Sequence, residues 1–231
     1  RPAVDPEAAA LVEHVIPLPG RRLRVRAYAS VDALLDRATG DDDIPFWAEL
    51  WASSRALAGW LWHRDPLHGL RVLELGCGVG LAGIAAALRG ARVLQTDRAP
   101  EALILARENA RRNGCPLIDQ RLADWRRFPD LGRFDLILGA DILYEPRLHA
   151  DLTGVLARHL EPGGRAVLAD PGRRGAECFL AAAERSGWRW DLEEWPTGGG
   201  NREDEPMIDI LVLSPPDPGT GVDGPGWEDR R

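Results

Sequence analysis

The 231-residue chain predicts an α/β fold. We expect a doubly wound, Rossmann-like sheet of about seven strands, mostly parallel, with an antiparallel strand near its C-terminal edge. Three observations predict it. A short apolar run over residues 70–75 ends in the acid Glu74 and alternate glycines, Gly76, Gly78 and Gly80, and then gives way to an apolar helix over 81–88. From there, strand-like runs alternate with helical segments closed by Arg-Gly, Asn-Gly or Pro-Gly-Gly. After the fifth such unit, two strand-like runs over 188–195 and 206–213 follow each other with no helix between them, so they should pair antiparallel.

The elements follow in order. Residues 6–14 read as a short helix. Residues 15–17 and 23–28 flank Pro19-Gly20 as a hairpin, with Leu23, Val25 and Ala27 alternating onto one face. Ser30 caps a helix over 31–38, and Asp41 to Asp43 form an acidic loop. Residues 44–61 read as one helix rich in Trp, carrying Trp47, Trp51, Ser54 and Ala58 on a single stripe. It stands just before the glycine loop and so forms a wall for it. The sheet is then strands over 70–75, 91–97, 117–122, 134–141 and 165–170, with helices over 81–88, 99–112, 148–160 and 176–186. Pro100 sits in the first turn of its helix, where it is tolerated. The expected organisation is an N-terminal helix/hairpin extension over 1–43, one domain over 44–214, and a disordered tail over 215–231 rich in Pro, Gly and Asp.

Composition excludes several classes. The net charge of -7 argues against a nucleic-acid binder with a basic surface. All 29 basic residues are Arg. Cys77, Cys115 and Cys178 are scattered, with no CxxC, so neither a disulfide frame nor a zinc site is indicated. No long apolar stretch or signal peptide is visible, which leads to the expectation of a cytoplasmic protein without a membrane partner. The five histidines are isolated, and no HExxH, GxSxG or P-loop lysine motif occurs.

A glycine loop between a first parallel strand and its helix holds a nucleotide-type cofactor, because backbone N–H groups lie open above it. Gly78-Val79-Gly80-Leu81-Ala82-Gly83 satisfies the dinucleotide pattern GxGxxG, but Glu74 and Gly76 precede it out of register. Asp97 ends the second strand, where a carboxylate accepts both ribose hydroxyls of an adenosine, or else caps the following helix. The spacing Glu74-x-Gly76-x-Gly78-x-Gly80 resembles motif I of the class I S-adenosylmethionine methyltransferases. The closing antiparallel pair resembles the end of their seven-stranded fold. That resemblance favours S-adenosylmethionine, with S-adenosylhomocysteine as product, over a nicotinamide dinucleotide.

Three further segments narrow the likeness: Pro45-Phe46-Trp47-Ala48 with Trp51, Asp141-Ile142-Leu143-Tyr144 after the fourth strand, and Asp170-Pro171-Gly172-Arg173 after the fifth. Together they resemble the family-16 lysine methyltransferases, and within them the branch that modifies the β-subunit of electron-transfer flavoprotein. The likeness runs from about residue 45 to 174. Ala52-Ser53-Ser54 departs from the Pro-Gly-Gly-like residues that often follow the second Trp in that branch.

The resemblance implies roles. Glu74, Gly76, Gly78 and Gly80 surround the methionine end of the cofactor, and Asp97 holds the ribose. Asp124 accepts from the adenine amino group and Trp125 stacks on its face; the plainer reading is a loop acid beside a half-buried Trp. Trp51 packs on the cofactor or anchors the core. Ala140, Asp141 and Tyr144 lie where open sheets put their ligands. Asp141 then orients the acceptor amine and Tyr144 lines its channel, unless Asp141 merely caps the next helix. Asp170 and Arg173 read equally as a structural turn. The expected activity is N-methylation of lysine in a protein substrate, with the flavoprotein β-subunit as one candidate, by a monomer. The alternatives are a small-molecule amine N-methyltransferase, with the N-terminal region as its lid, and a non-enzymatic cofactor-binding protein.

Overall fold

The computed structural model describes residues 10–31, 34, 44–198 and 205–216. Strands β1 (Leu11–Leu18) and β2 (Arg21–Tyr28) form an antiparallel hairpin about Gly20, whose φ of 72° permits the tight turn. The helix expected over 6–14 is overturned from Leu11 onward, because alternation wins. Ile16 and Leu18 turn inward beside Leu23, Val25 and Ala27 of β2, and all five are buried. The earlier part of that expected helix lies outside the described residues, as do the loop at 41–43, most of the tail and, apart from the buried Val31 and Leu34, the helix expected over 31–38.

The open edge of β2 is closed by side chains. Asn109 and Asn113 stand one helical turn apart, a spacing close to that of alternate residues along a strand. The Arg26 N–H donates to Asn109 Oδ1 at 2.8 Å, and Asn109 Nδ2 donates to the Arg26 carbonyl at 2.9 Å. Asn113 repeats the exchange with Arg24, at 2.9 and 2.8 Å. Two amides thus do for β2 what a third strand would do. Asn109 Nδ2 also donates to the Val79 carbonyl at 2.9 Å, which ties the hairpin to the glycine loop.

The Trp-rich stretch is not one helix. Phe46–Ala48 forms a single 3-10 turn, Glu49 and Trp51 are extended, and the helix α1 runs over Ala52–Trp62. The break is fixed by the Trp51 indole, which donates to the Phe46 carbonyl at 2.7 Å. It lets the Trp47 backbone lie against Gly78, where an added Cβ would stand 3.2 Å from the Trp47 carbonyl oxygen. Tertiary contact has overridden local helix propensity.

The remaining elements are β3 (Arg71–Leu75), α2 (Leu81–Leu88), β4 (Arg92–Asp97), α3 (Pro100–Arg112), β5 (Asp119–Leu122), β6 (Phe134–Ala140), α4 (His149–His159), β7 (Leu160–Asp170), α5 (Arg174–Arg185), β8 (Arg189–Pro196) and β9 (Met207–Ser214). Seven strands line up as β5-β4-β3-β6-β7-β9-β8. The expected α/β sheet is present: only β9 runs antiparallel, one place in from the edge. The stretch Pro162-Gly163-Gly164, expected to end a helix, lies inside β7. There the pairing with β6 shifts register between Phe134 and Leu136.

Alternate strand residues fill two cores. Val72, Leu136, Leu138, Val167 and Ile210 pack under α1, α2 and the hairpin, while Leu73, Ile137, Leu168 and Leu211 pack under α4 and α5. Strand order reverses between β3 and β6, so the carboxyl ends of these two neighbours open a crevice, the usual ligand position of such sheets. No helix among the described residues is long and apolar enough to cross a membrane.

Candidate active site

A cleft open to solvent lies over the carboxyl ends of β3, β4 and β6. Trp47, Trp51, Glu74, Gly76, Gly78, Asp97, Asp124, Trp125, Ala140, Asp141 and Tyr144 all line it. The glycine loop and the Asp141–Tyr144 loop therefore face one space rather than opposite sides of the sheet. Among the described residues no part of the hairpin lines the cleft.

On one wall, Gly76 and Gly78 adopt φ of 59° and 49°, a region that favours glycine, and turn backbone toward the cleft. Gly80 does not line it. Its φ is 81°, and an added Cβ would come within 2.9 Å of Ala106 Cβ and 2.7 Å of Gln95 Nε2. Gly80 thus packs against α3 and Gln95, behind the cleft-facing part of the loop. Glu74 is buried beneath the loop, accepting from Gln95 Nε2 at 2.8 Å. Burial pushes its carboxyl up to about 7, and the bonds from Gln95 and the Gly83 and Ala82 N–H groups only partly offset this. Asp97 is also buried. It accepts from the Gly78 N–H at 2.9 Å and the Ala99 N–H at 3.0 Å, so it shapes the loop and braces the turn ahead of α3, whose N-cap is Ala99, without capping the helix itself. Burial raises its carboxyl despite these donors.

The side wall holds Asp124 and Trp125. Asp124 accepts from the Arg126 N–H at 3.0 Å and forms an ion pair with its guanidinium at 2.6 Å. This pairing holds its carboxyl below the usual value. The Trp125 ring would lie 3.5 Å from a Cβ added at Gly76, against the glycine loop.

The far wall begins where β6 ends. Asp141 has φ of 60° and is the one non-glycine residue with positive φ among those described. A non-glycine residue held there is unusual and points to outside constraint. The α4 helix begins only at His149, so Asp141 does not cap it. Instead, Asp141 Oδ2 accepts from Ser53 Oγ of α1 at 3.0 Å, and Oδ1 is ion-paired with the Arg173 guanidinium. Asp170 holds Arg173 in turn, accepting from its N–H at 2.7 Å. The turn expected after β7 is therefore real, and it reaches into the site through Asp141. Tyr144 stacks edge-on against Phe46, 5.3 Å between ring centres. Burial pushes its phenol above the ordinary value, although the residue as a whole is 40% exposed.

Phe46, Ser53, Arg98 and Ile142 were not singled out as site residues in the sequence. Phe46 lies inside the Pro45-Phe46-Trp47-Ala48 segment. The Ser53 contact had no sequence signal, since 88 positions separate it from Asp141. Among the described residues no cluster of His, Cys, Asp and Glu is disposed to hold a metal. The donor set instead suits a cationic nucleoside. Two buried acids, Glu74 and Asp97, line the same cleft as the open glycine-loop backbone and the rings of Trp51 and Trp125.

The model of a lysine methyltransferase family matches residues 41–185. Over 113 residues the chain is 39% identical to histone-arginine methyltransferase METTL23 of Xenopus laevis, covering 45% of this chain and 47% of that one. Over 108 residues it is 42% identical to protein N-lysine methyltransferase METTL21A of Danio rerio, covering 44% and 49%. Over 139 residues it is 33% identical to the electron transfer flavoprotein beta subunit lysine methyltransferase of Rattus norvegicus, covering 56% and 51%. Among solved structures, a ribosomal protein L11 methylase from Lactobacillus delbrueckii subsp. bulgaricus superposes with a TM-score of 0.54 at 27% identity, over 69% of this chain and 77% of that one. The matches to these curated relatives span about half of their length. The match of the family model over most of the chain places this protein in the lysine methyltransferase family.

Proposed function

We propose that the protein is an S-adenosylmethionine-dependent N-methyltransferase whose acceptor is a lysine in a protein. The observation that carries this reading is the shared cleft: the glycine loop and the Asp141–Tyr144 loop open onto one space. When bound, S-adenosylmethionine supplies an electrophilic methyl group on a sulfonium. Glu74 and the backbone at Gly76 and Gly78 hold the methionine end, and Asp97 accepts from the ribose hydroxyls. Trp51 and Trp125 pack on the nucleoside, with Asp124 and Ala140 at its edges. Gly80 serves by seating the loop.

The remaining work is to bring a neutral amine in line with the methyl. Asp141 orients the amine, and Tyr144 with Phe46 lines its approach. Orientation of this kind supplies roughly 7–11 kcal/mol in favourable cases. The amine sheds its proton to solvent before transfer. The electron-transfer flavoprotein β-subunit is a candidate acceptor, supported by one relative's name. We place the protein in the cytoplasm as a monomer without nucleic-acid or membrane partners, in keeping with its net charge of -7.

The test uses tritiated S-adenosylmethionine and a cell lysate. The chain contains no lysine, so labelled lysine in a protein band belongs to an acceptor and not to the enzyme. Label in lysine supports the reading. Label in arginine alone, or only in the low-mass fraction, replaces the acceptor. If titration calorimetry with S-adenosylmethionine gives no heat, the reading fails at its first step.

A further inference from the structure

Asp141 poses a chemical difficulty for the reading above. A carboxylate beside a lysine ammonium orients it but also raises its pKa, and transfer needs the amine neutral. The rest of the cleft makes this worse. Its lining acids are Glu49, Glu74, Asp97, Asp124 and Asp141 against Arg98 and Arg126; Glu74 is held up to about 7 and Asp124 is paired with Arg126, which leaves Glu49 and Asp97 beside Asp141 against Arg98. Beyond the lining, Glu145 is ion-paired with Arg147, and Asp170 stands behind Asp141.

One cation is placed to relieve this. Arg173 reaches Asp141 from the loop between β7 and α5, and it does not line the cleft. Its guanidinium engages Oδ1 while Ser53 Oγ engages Oδ2, so both oxygens are held by donors from distant elements. The guanidinium also stands 3.4 Å from Asp170 Oδ2, and the Asp170 side chain is fully buried. The Asp141 side chain is 8% exposed and that of Arg173 37%, so the carboxylate end of the pair is sheltered while water screens the guanidinium in part.

We propose that Arg173 is a positioning residue that neutralises Asp141 from behind, so that the carboxylate aligns the acceptor amine without holding its proton. The assignment rests on the methyltransferase reading and adds a charge requirement to it. It also explains the left-handed backbone at Asp141: that conformation aims the carboxylate at both Ser53 and Arg173.

The test compares wild type with Arg173→Gln, Arg173→Met, Arg173→Lys and Asp141→Asn. The probe is Nα-acetyl-lysine N-methylamide labelled with 13C at Cε, bound to the S-adenosylhomocysteine complex and titrated by NMR. Loss of the Arg173 charge should raise the bound amine's pKa by about one unit. At pH 7 Arg173→Gln should bind the probe more tightly than wild type and methylate it more slowly. Arg173→Lys should restore the wild-type pKa. Asp141→Asn should move the pKa the other way and weaken binding, and Arg173→Met, which also removes the charge, should raise the pKa as Arg173→Gln does and keeps the assignment testable if Arg173→Gln does not fold. A merely structural role for Arg173 would weaken binding and turnover together, with the bound pKa unmoved; that result, or no probe uptake by the wild-type complex, overturns the assignment. If the wild-type chain takes up no S-adenosylhomocysteine, the methyltransferase reading beneath it has failed instead.

Discussion

The loop ahead of α2 takes its shape from residues 15 to 21 positions away, namely Asp97 on Gly78 and Gln95 on Gly80 and Glu74. The Asp141–Tyr144 loop is held by Arg173, 32 positions on, and by Ser53, 88 positions back. The hydrogen bonds of the first wall's acids lie largely within the β3-α2-β4 unit, with α3 and the Trp47 backbone packed against its glycines. The second is assembled from three elements that meet only in the folded sheet. Damage to the first should therefore cost donor binding and stability together, while damage to the second should cost transfer and leave donor binding intact.

The largest expected effect breaks the first wall. Gly80→Ala forces a side chain into φ of 81° and drives its Cβ to 2.9 Å from Ala106 Cβ. Left-handed strain costs about 1–2 kcal/mol and overpacking about 1–3 kcal/mol. The loss should appear in chemical denaturation, with S-adenosylmethionine affinity falling at least about tenfold because the loop no longer seats. A variant of wild-type stability and affinity would show that the loop is not fixed from α3.

Next in size is a pH effect on the same wall. Burial holds Glu74 at about 7, above its ordinary 4.5, so the folded chain keeps a proton that the unfolded chain releases. The stability tied to that proton is full below pH 4.5 and is lost as pH rises through 7. Glu74→Gln has no such titration. Between about pH 5 and pH 8 the wild type should lose up to about 3 kcal/mol relative to the variant. Denaturant midpoints across that range measure it, and parallel pH profiles for the two proteins would contradict it.

The matching break in the second wall is Gly175→Ala. A Cβ there would stand 2.5 Å from the Leu143 carbonyl oxygen, so α5 or the Asp141–Tyr144 loop must shift. We expect a loss of about 1–3 kcal/mol in stability. Turnover should fall at least about tenfold while S-adenosylmethionine affinity stays within about threefold, because a misplacement near 1 Å is costly to transfer. Equal losses in binding and turnover would mean that the two walls are one mechanical unit.

The contrast also explains what could be read in the sequence. Glu74, the alternate glycines and Asp97 were legible because their partners lie in the same short unit, and the strand and helix periods from residue 70 onward gave the sheet. The Asp141–Tyr144 segment was legible as a motif, but its support was not. Nothing local marks Ser53 or Gly175 as its neighbours, and Arg173 reads as turn chemistry until Asp141 is seen beside it. Residues 15–17 read as a hairpin arm, but the strand extends back to Leu11 into a stretch with helical pattern, because its pairing with β2 continues to Tyr28; α3 then completes β2 through two asparagine amides that no strand pattern signals. The Trp-rich stretch has helical spacing, yet a single indole-to-carbonyl bond and the approach to Gly78 break it.

The smallest expected effect tests the side wall between the two. Arg126 pairs with Asp124 in an ion pair whose side chains are 47% and 37% exposed. A pair so open to water contributes at most about 0.5 kcal/mol, so Arg126→Ala should hardly move the melting temperature. Its effect on the donor is more informative. Asp124 also caps its own turn through the Arg126 N–H, a bond the substitution leaves in place. Only the guanidinium is withdrawn, which frees carboxylate lone pairs beside Trp125. If Asp124 accepts from the adenine amino group, S-adenosylmethionine should bind up to a few-fold more tightly, as one neutral donor replaces solvent at a carboxylate. Adenosine, tested alone, should gain by the same factor. Unchanged affinity for both would reduce Asp124 to a turn cap and leave Trp125 as the only grip on the base along that wall.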